Sequence, residues 1–410
     1  MFRIFILILV LGLQALLFLR ARTWQKTHYP RSRFVGIALV VLFTVFSGTM
    51  AAVLLFRPRI MEFPDWFTFL AVNPFYIWHG ATLMLGLAVL AGLIISLPFR
   101  SVRWLLRVTP GIKSTWKKVE DHPRVQRFDA SRRVFLRRSM YGLTAASFGG
   151  SAYGVLTEKS SMNFTRRRVA IRELPVEFEG FTIGMVSDIH SSVFMTKVDM
   201  DEYVRALNTL KTDLIVIPGD FVNSMVDEVY PFAESFSALT APHGIYGVLG
   251  NHDFYSGDPD RVTREINDCG VTILRNDHAV IRKGGRVLTL LGVDDVGRSD
   301  RAAALMETAG RNSPATGTTI LLCHRPYFLE QAAGRNVDLM LSGHTHGGQI
   351  VLGRLGGLSF TPAQLASPYV WGMYSHGKTQ MFVSRGIGTV GLPMRINCPP
   401  EVVVLTLTRA

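Results

Sequence analysis

Cysteine is scarce in this chain. Cys269, Cys323 and Cys398 are the three in 410 residues, and their spacing suits neither a disulfide framework, nor a redox pair, nor a zinc ribbon. They read as small buried apolar residues and offer no thiolate cluster to a metal. Acidic residues are scarce in one part only. Residues 1–169 hold 24 Lys+Arg against 6 Asp+Glu, residues 170–410 hold 20 against 25, and together they give the net charge of +13. The basic excess therefore does not belong to the second part, which argues against a nucleic-acid-binding face there; anionic lipid headgroups are the expected partner of the first. There is no internal repeat or low-complexity segment.

Charge is also nearly absent from three long apolar runs, 4–19, 34–56 and 77–97. A helix needs about 20 such residues to cross a bilayer, so three transmembrane helices are predicted within residues 1–99. A cleaved signal peptide is the rival reading of the first run. Leu19-Arg20-Ala21-Arg22 offers no small-residue cleavage site and further apolar runs follow, which favours an uncleaved anchor. Arg20, Arg22, Lys26, Arg31 and Arg33 lie between the first two runs, while Arg57 and Arg59 are offset by Glu62 and Asp65 before the third. The positive-inside rule then puts the first loop in the cytoplasm and the N-terminus outside.

Residues 100–138 carry twelve Lys+Arg and read as a basic cytoplasmic linker. Within it, Ser131-Arg132-Arg133-Val134-Phe135-Leu136-Arg137 resembles a twin-arginine export signal, and residues 139–157 behind it are mildly apolar, a candidate fourth span. An ordinary basic flank followed by a surface helix is the alternative. Export would put the rest of the chain on the extracytoplasmic side, at a bacterial inner membrane. His79, near Trp78 and Tyr76 at a span end, reads as an interfacial residue.

The second part is an α/β pattern. Short runs rich in Val, Ile and Leu at 181–186, 214–217, 245–249, 288–293, 319–322, 339–341, 380–384 and 402–407 read as strands, with helical patterns such as 200–210 between them. The runs are continuous and not alternating, so both faces should be buried, with helices outside a two-sheet core. Five polar clusters follow such runs: Ser187-Asp188-Ile189-His190, Gly219-Asp220, Gly250-Asn251-His252-Asp253, His324-Arg325-Pro326 and Gly343-His344-Thr345-His346-Gly347-Gly348-Gln349. Open α/β folds bind ligands at that strand edge. Asp188 and His190 can converge on one cation, Asp220 has two oxygens with which to bridge two, and Asn251 adds an amide oxygen. His252, next to Asn251, cannot readily bind the same ion from an extended backbone and is free to act on substrate. His344 and His346, flanked by glycines, can point to different ions. Nitrogen and oxygen donors of this kind suit Mn, Fe or Zn.

The ordered set resembles the calcineurin-like metallophosphoesterases over residues 170–410. The Gly-His-Thr-His-Gly-Gly-Gln form, with Gly292-Val293-Asp294-Asp295 before it and Arg385-Gly386-Ile387-Gly388 after it, is similar to the membrane-associated YkuE-like branch. The resemblance implies an αββα two-sheet sandwich. It also implies one divalent ion on Asp188, His190 and His346, a second on Asn251, His324 and His344, and Asp220 bridging. His252 corresponds to an acid at the leaving group, with Asp253 as its orienting partner. Cys323 stands where many members have glycine, without loss of a ligand.

The expected chemistry is in-line hydrolysis of a phosphoester, a diester by preference, by a metal-bridging hydroxide. Two divalent cations against two carboxylates leave a formal surplus of two positive charges to attract the anionic substrate. The membrane tether suggests a lipid-linked or envelope substrate. An anchored phosphomonoesterase and a non-enzymatic binding module are the alternatives, and Arg325, Arg385 and Arg395 are expected in salt bridges or capped loops outside the site.

Overall fold

The computed structural model describes residues 2–56, 63–157, 160–297, 299–314, 317–355 and 358–410. Arg57, Arg59 and Glu62 of the second loop lie outside the described residues. The chain divides into two compact units that succeed one another at Tyr153 and Gly154.

The first unit is helical: α1 (Phe2–His28), α2 (Arg33–Phe56), the single turn α3 (Asp65–Phe67), α4 (Asn73–Val108), α5 (Pro110–Asp121) and α6 (Pro123–Leu156). Among the described residues, three helical segments, Ile4–His28, Arg33–Phe56 and Thr68–Val108, are long and apolar enough to cross a membrane. The 139–157 segment continues the basic stretch within α6, which is not among those three. Part of the basic charge is neutralised locally, since Arg103 reaches both Glu120 and Asp129 at 2.9 Å. His79 departs from the interfacial reading. It is buried among helices, where Gln14 Nε2 donates to its Nδ1 at 2.9 Å and Ser47 Oγ donates to Gln14 Oε1 at 2.5 Å. A polar side chain inside an apolar bundle is cheapest when another helix answers it, and here α1, α2 and α4 do so.

The second unit is the two-sheet sandwich. Its strands are β1 (Asn163–Ile171), β2 (Thr182–Met185), β3 (Leu214–Pro218), β4 (Ile245–Val248), β5 (Thr272–Ile273), β6 (Asp277–Lys283), β7 (Arg286–Val293), β8 (Thr318–Cys323), β9 (Leu339–Ser342), β10 (Gly353–Leu355), β11 (Leu358–Phe360), β12 (Gly372–His376), β13 (Thr379–Val383) and β14 (Glu401–Arg409). One six-stranded sheet runs β1-β14-β2-β3-β4-β5, the other β12-β13-β9-β8-β7-β6, and β10 and β11 form a separate hairpin. Each sheet has a parallel centre, β2, β3 and β4 in the first and β7, β8 and β9 in the second, while β14 joins the first sheet antiparallel to β2.

Strand alternation explains the continuous apolar runs. Leu214 and Val216 of β3 face Ile320 and Leu322 of β8 in the core between the sheets. Ile215 and Ile217 pack outward beneath α7 (Lys197–Leu210), α8 (Val229–Phe236) and α10 (Pro259–Asp268), and Leu321 packs outward beneath α11 (Ser299–Gly310) and α12 (Leu329–Ala333). A strand buried on both faces has no reason to alternate. Helix starts are chemically marked as well: Thr196 and Asp199 form a reciprocal capping box at the head of α7, and Lys211 ends it in the left-handed region.

Candidate metal centre

The C-terminal ends of β2, β3, β4, β8 and β9 deliver the polar clusters to one place. Asp188 and His190 follow β2, Asp220 follows β3, Asn251 opens the one-turn helix α9 (Asn251–Tyr255) after β4, His324 follows β8, and His344 and His346 follow β9. All but His344 are buried. Five of these seven, Asp188 (φ 50°), His190 (φ 51°), Asp220 (φ 57°), His344 (φ 74°) and His346 (φ 51°), have left-handed backbones. Such conformations are uncommon for non-glycine residues and persist where surrounding contacts impose them. Close approach needs glycine beside them. A Cβ on Gly250 would collide with Asp220 Oδ1, and one on Gly343 with Asp188 Oδ2.

The donor atoms form two groups that share one oxygen. His190 Nε2 lies 3.1 Å from His346 Nε2 and 3.4 Å from Asp220 Oδ2, and Asp188 Oδ1 lies 3.6 Å from His346 Nε2. On the other side, His324 Nε2 lies 3.2 Å from Asp220 Oδ2, 3.2 Å from Asn251 Oδ1 and 3.3 Å from His344 Nδ1. The bridging expectation is refined here. Asp220 Oδ2 alone stands between the groups, because its Oδ1 accepts the His252 backbone N–H at 2.8 Å.

These residues fit divalent ions. Ligands about 2.1 Å from one cation stand about 3.0–3.4 Å from each other at octahedral or tetrahedral angles, close to the separations found. Imidazole nitrogens facing each other across 3.1 Å in a buried site leave lone pairs or N–H groups unsatisfied, which is costly without a cation between them. His324 is oriented by its far nitrogen, whose N–H donates to the Pro218 carbonyl at 2.9 Å. Burial pushes His190 and His344 down to about 3, so both are neutral and able to ligate. Burial raises Asp188 to about 6. Burial also opposes charge on His324, but Asp220 beside it wins and holds it up at about 10. Asp220, buried yet facing His324, stays well below the usual carboxylate range.

His252 is half-buried, and its ring stands edge-on to His190 with centroids 4.5 Å apart. One of its ring nitrogens falls within 4.8 Å of a ring nitrogen of His190 and a carboxylate oxygen of Asp220. Its Nδ1 lies 2.5 Å from the Asn223 carbonyl, which marks that nitrogen as the N–H and turns Nε2 away from it. Asp253 is a correction. It does not orient His252: its carboxylate accepts the backbone N–H groups of Asp220, Phe221, Val222 and Gly250 at 2.8–3.0 Å. One turn of helix carries His252 outward and Asp253 inward, so the acid clamps the Asp220 loop to the Asn251 loop. The three arginines lie outside the ligand set. Arg325 pairs with Asp295 at 2.6 Å and Arg385 with Glu401 at 3.0 Å. Arg395, fully buried, donates to the carbonyls of Arg385, Gly386, Gly388 and Cys398. It thereby shapes the loop whose Ile387 and Gly388 N–H groups bind the Ser187 and Asp188 carbonyls.

The calcineurin-like phosphoesterase family profile matches residues 181–348, the stretch that carries the five clusters up to Gly348. The metallophosphoesterase YkuE of Bacillus subtilis is 32% identical over 289 residues, 68% of this chain and 97% of that protein. The chain belongs to the calcineurin-like phosphoesterases. Within the family it sits in the membrane-associated YkuE-like branch. The phosphodiesterase YaeI of Escherichia coli is 29% identical over 285 residues, 68% of this chain and 99% of YaeI. A transmembrane protein with a metallophosphoesterase domain from Danio rerio is 29% identical over 270 residues, 63% of this chain and 60% of that protein.

Proposed function

We propose that this chain is a membrane-anchored dinuclear phosphodiesterase. The observation that supports it best is the pair of donor groups that share Asp220 Oδ2. Asp188, His190 and His346 would hold one divalent ion (Mn, Fe or Zn), Asn251, His324 and His344 the other, and Asp220 both. Bound there, two such ions supply Lewis acidity toward phosphoryl oxygens and activation of a water at neutral pH.

The chain's own residues do the remaining work. His252, with Nδ1–H tied to the Asn223 carbonyl, presents Nε2 to substrate, and in its protonated form hands a proton to the departing oxygen. Asp253 is a positioning residue that fixes the loop carrying Asp220. A diester is favoured by the relative named a phosphodiesterase. A lipid-linked or envelope diester is favoured by the three apolar helices. In the reading of the loop charges, residues 100–138 are cytoplasmic and the twin-arginine-like motif exports the catalytic unit to the outer side of a bacterial inner membrane.

Full-length protein purified in detergent with Mn should hydrolyse a chromogenic phosphodiester faster than the matching monoester. Preference for the monoester would replace this reading with an anchored phosphatase, and no metal-dependent turnover of either would favour a binding module. A C-terminal reporter active only outside the cytoplasm tests the orientation: activity is expected, and an inactive fusion that is present in the membrane at full level refutes it.

A further inference from the structure

Between the metal loop and the last strands, the chain makes an excursion through the β10–β11 hairpin and the turn Pro362–Leu365. Two bonds tie it to that loop. Thr361 Oγ1 donates to the Gly348 carbonyl at 3.1 Å, and Thr345 Oγ1 donates to the Val370 carbonyl at 2.5 Å. Among its described side chains three large apolar ones stand out: Leu352 is 68% exposed, Phe360 53% and Leu365 94%. Leu352 and Phe360 are neighbours, since the Leu352 N–H donates to the Phe360 carbonyl at 2.8 Å, and Leu365 ends the turn that follows. Large apolar residues exposed this close together in the chain mark a surface that meets something apolar.

Charge narrows the partner. Residues 339–400 contain no Asp or Glu and four Lys+Arg, whereas residues 170–338 hold 24 Asp+Glu against 15 Lys+Arg. The excursion is thus drawn from the one part of an acidic unit that an anionic surface does not repel. The chain itself brings such a surface, because its three apolar helices hold it at a bilayer.

We infer that the edge formed by Leu352, Phe360 and Leu365 seats in the headgroup layer of an anionic bilayer, where it brings the metal loop to lipids that carry a phosphodiester. The choice of substrate rests on the phosphodiesterase reading above; the membrane contact does not. Exposed apolar tips on a stretch free of acidic residues suit a surface that lies in the interface.

The test uses the full chain in nanodiscs of phosphatidylglycerol and phosphatidylcholine. An environment-sensitive fluorophore is placed on Leu365→Cys in a Cys269→Ser background, the other two cysteines being buried. Blue-shifted emission and quenching by lipids with a shallow spin label, stronger than for the same fluorophore on Val198→Cys, is the expected result. Water-like, unquenched emission overturns the inference. So does emission shielded from both water and lipid in a particle holding two chains, which assigns the edge to a second copy.

The double variant Phe360→Asp/Leu365→Asp should lose about tenfold in turnover of a bilayer-embedded phosphatidyl diester, the cost of one or two apolar side chains withdrawn from lipid. Turnover of a soluble chromogenic diester should be unchanged, and equal loss on both contradicts lipid presentation. A wild-type chain inactive on both diesters refutes the phosphodiesterase reading, and the fluorophore then decides the membrane contact by itself.

Discussion

The helical unit and the sandwich unit both bury polar side chains, and they satisfy them differently. In the helical unit Ser47, Gln14 and His79 run donor to acceptor across three helices. In the sandwich unit, carboxylate and amide oxygens and imidazole nitrogens of seven side chains converge at 3.1–3.6 Å, and apart from the proton that Asp220 holds on His324 they bring lone pairs together. The first arrangement holds helices together. The second spends stability, through five left-handed backbones and a crowded set of lone pairs, and recovers it when cations bind. The two clusters therefore differ in whether the facing atoms already answer one another.

The contrast can be broken most sharply at Asp220. Asp220→Asn removes the shared charge, and activity should fall by about 10³ or more, with loss of at least one ion per chain by elemental analysis. His252→Ala should cost about 10²–10⁴ in kcat while keeping the full metal complement; equal metal loss in the two variants would refute the division of roles. Loading should also depend on pH. With burial opposing it, Asp220 holds metal-free His324 at about 10, so a proton occupies that site at neutral pH and must leave when an ion enters. Apparent metal affinity should accordingly rise with pH up to that value and fall as pH drops, with about one proton released per chain from His324 at pH 7, measurable by calorimetry in buffers of different ionisation enthalpy. Asp253→Asn should destabilise the protein by about 1–3 kcal/mol, because the amide cannot accept all four backbone N–H groups, and should weaken metal retention without a change in the pH optimum. The smallest effect is expected in the helical unit: Gln14→Leu should cost about 1 kcal/mol and leave kcat and metal content unaltered.

The eight inner strands were legible because burial on both faces writes an uninterrupted apolar run. The edge strands were not. β1 reads Asn-Phe-Thr-Arg-Arg-Arg-Val-Ala-Ile, largely exposed, and β6 has one buried position in seven, so neither carries a signal that separates it from a loop. The ligand residue types and their order were legible from the strand-plus-cluster pattern. The left-handed backbones at Asp188, His190 and Asp220 were not, since no glycine occupies those positions to announce them. Asp253 was misassigned for a geometric reason: adjacency to His252 in sequence suggests contact, but on a helical turn adjacent side chains diverge. His79 was misplaced because aromatic neighbours near a span end suggest the interface, and only the fold reveals Gln14 opposite it.

The most direct test is the metal content of the full-length chain purified with Mn, measured by elemental analysis for the wild type, Asp220→Asn and His252→Ala. Two ions per chain in the wild type and in His252→Ala, and at most one in Asp220→Asn, is the predicted result. A wild type that holds no metal yet hydrolyses a phosphodiester at full rate would contradict the account.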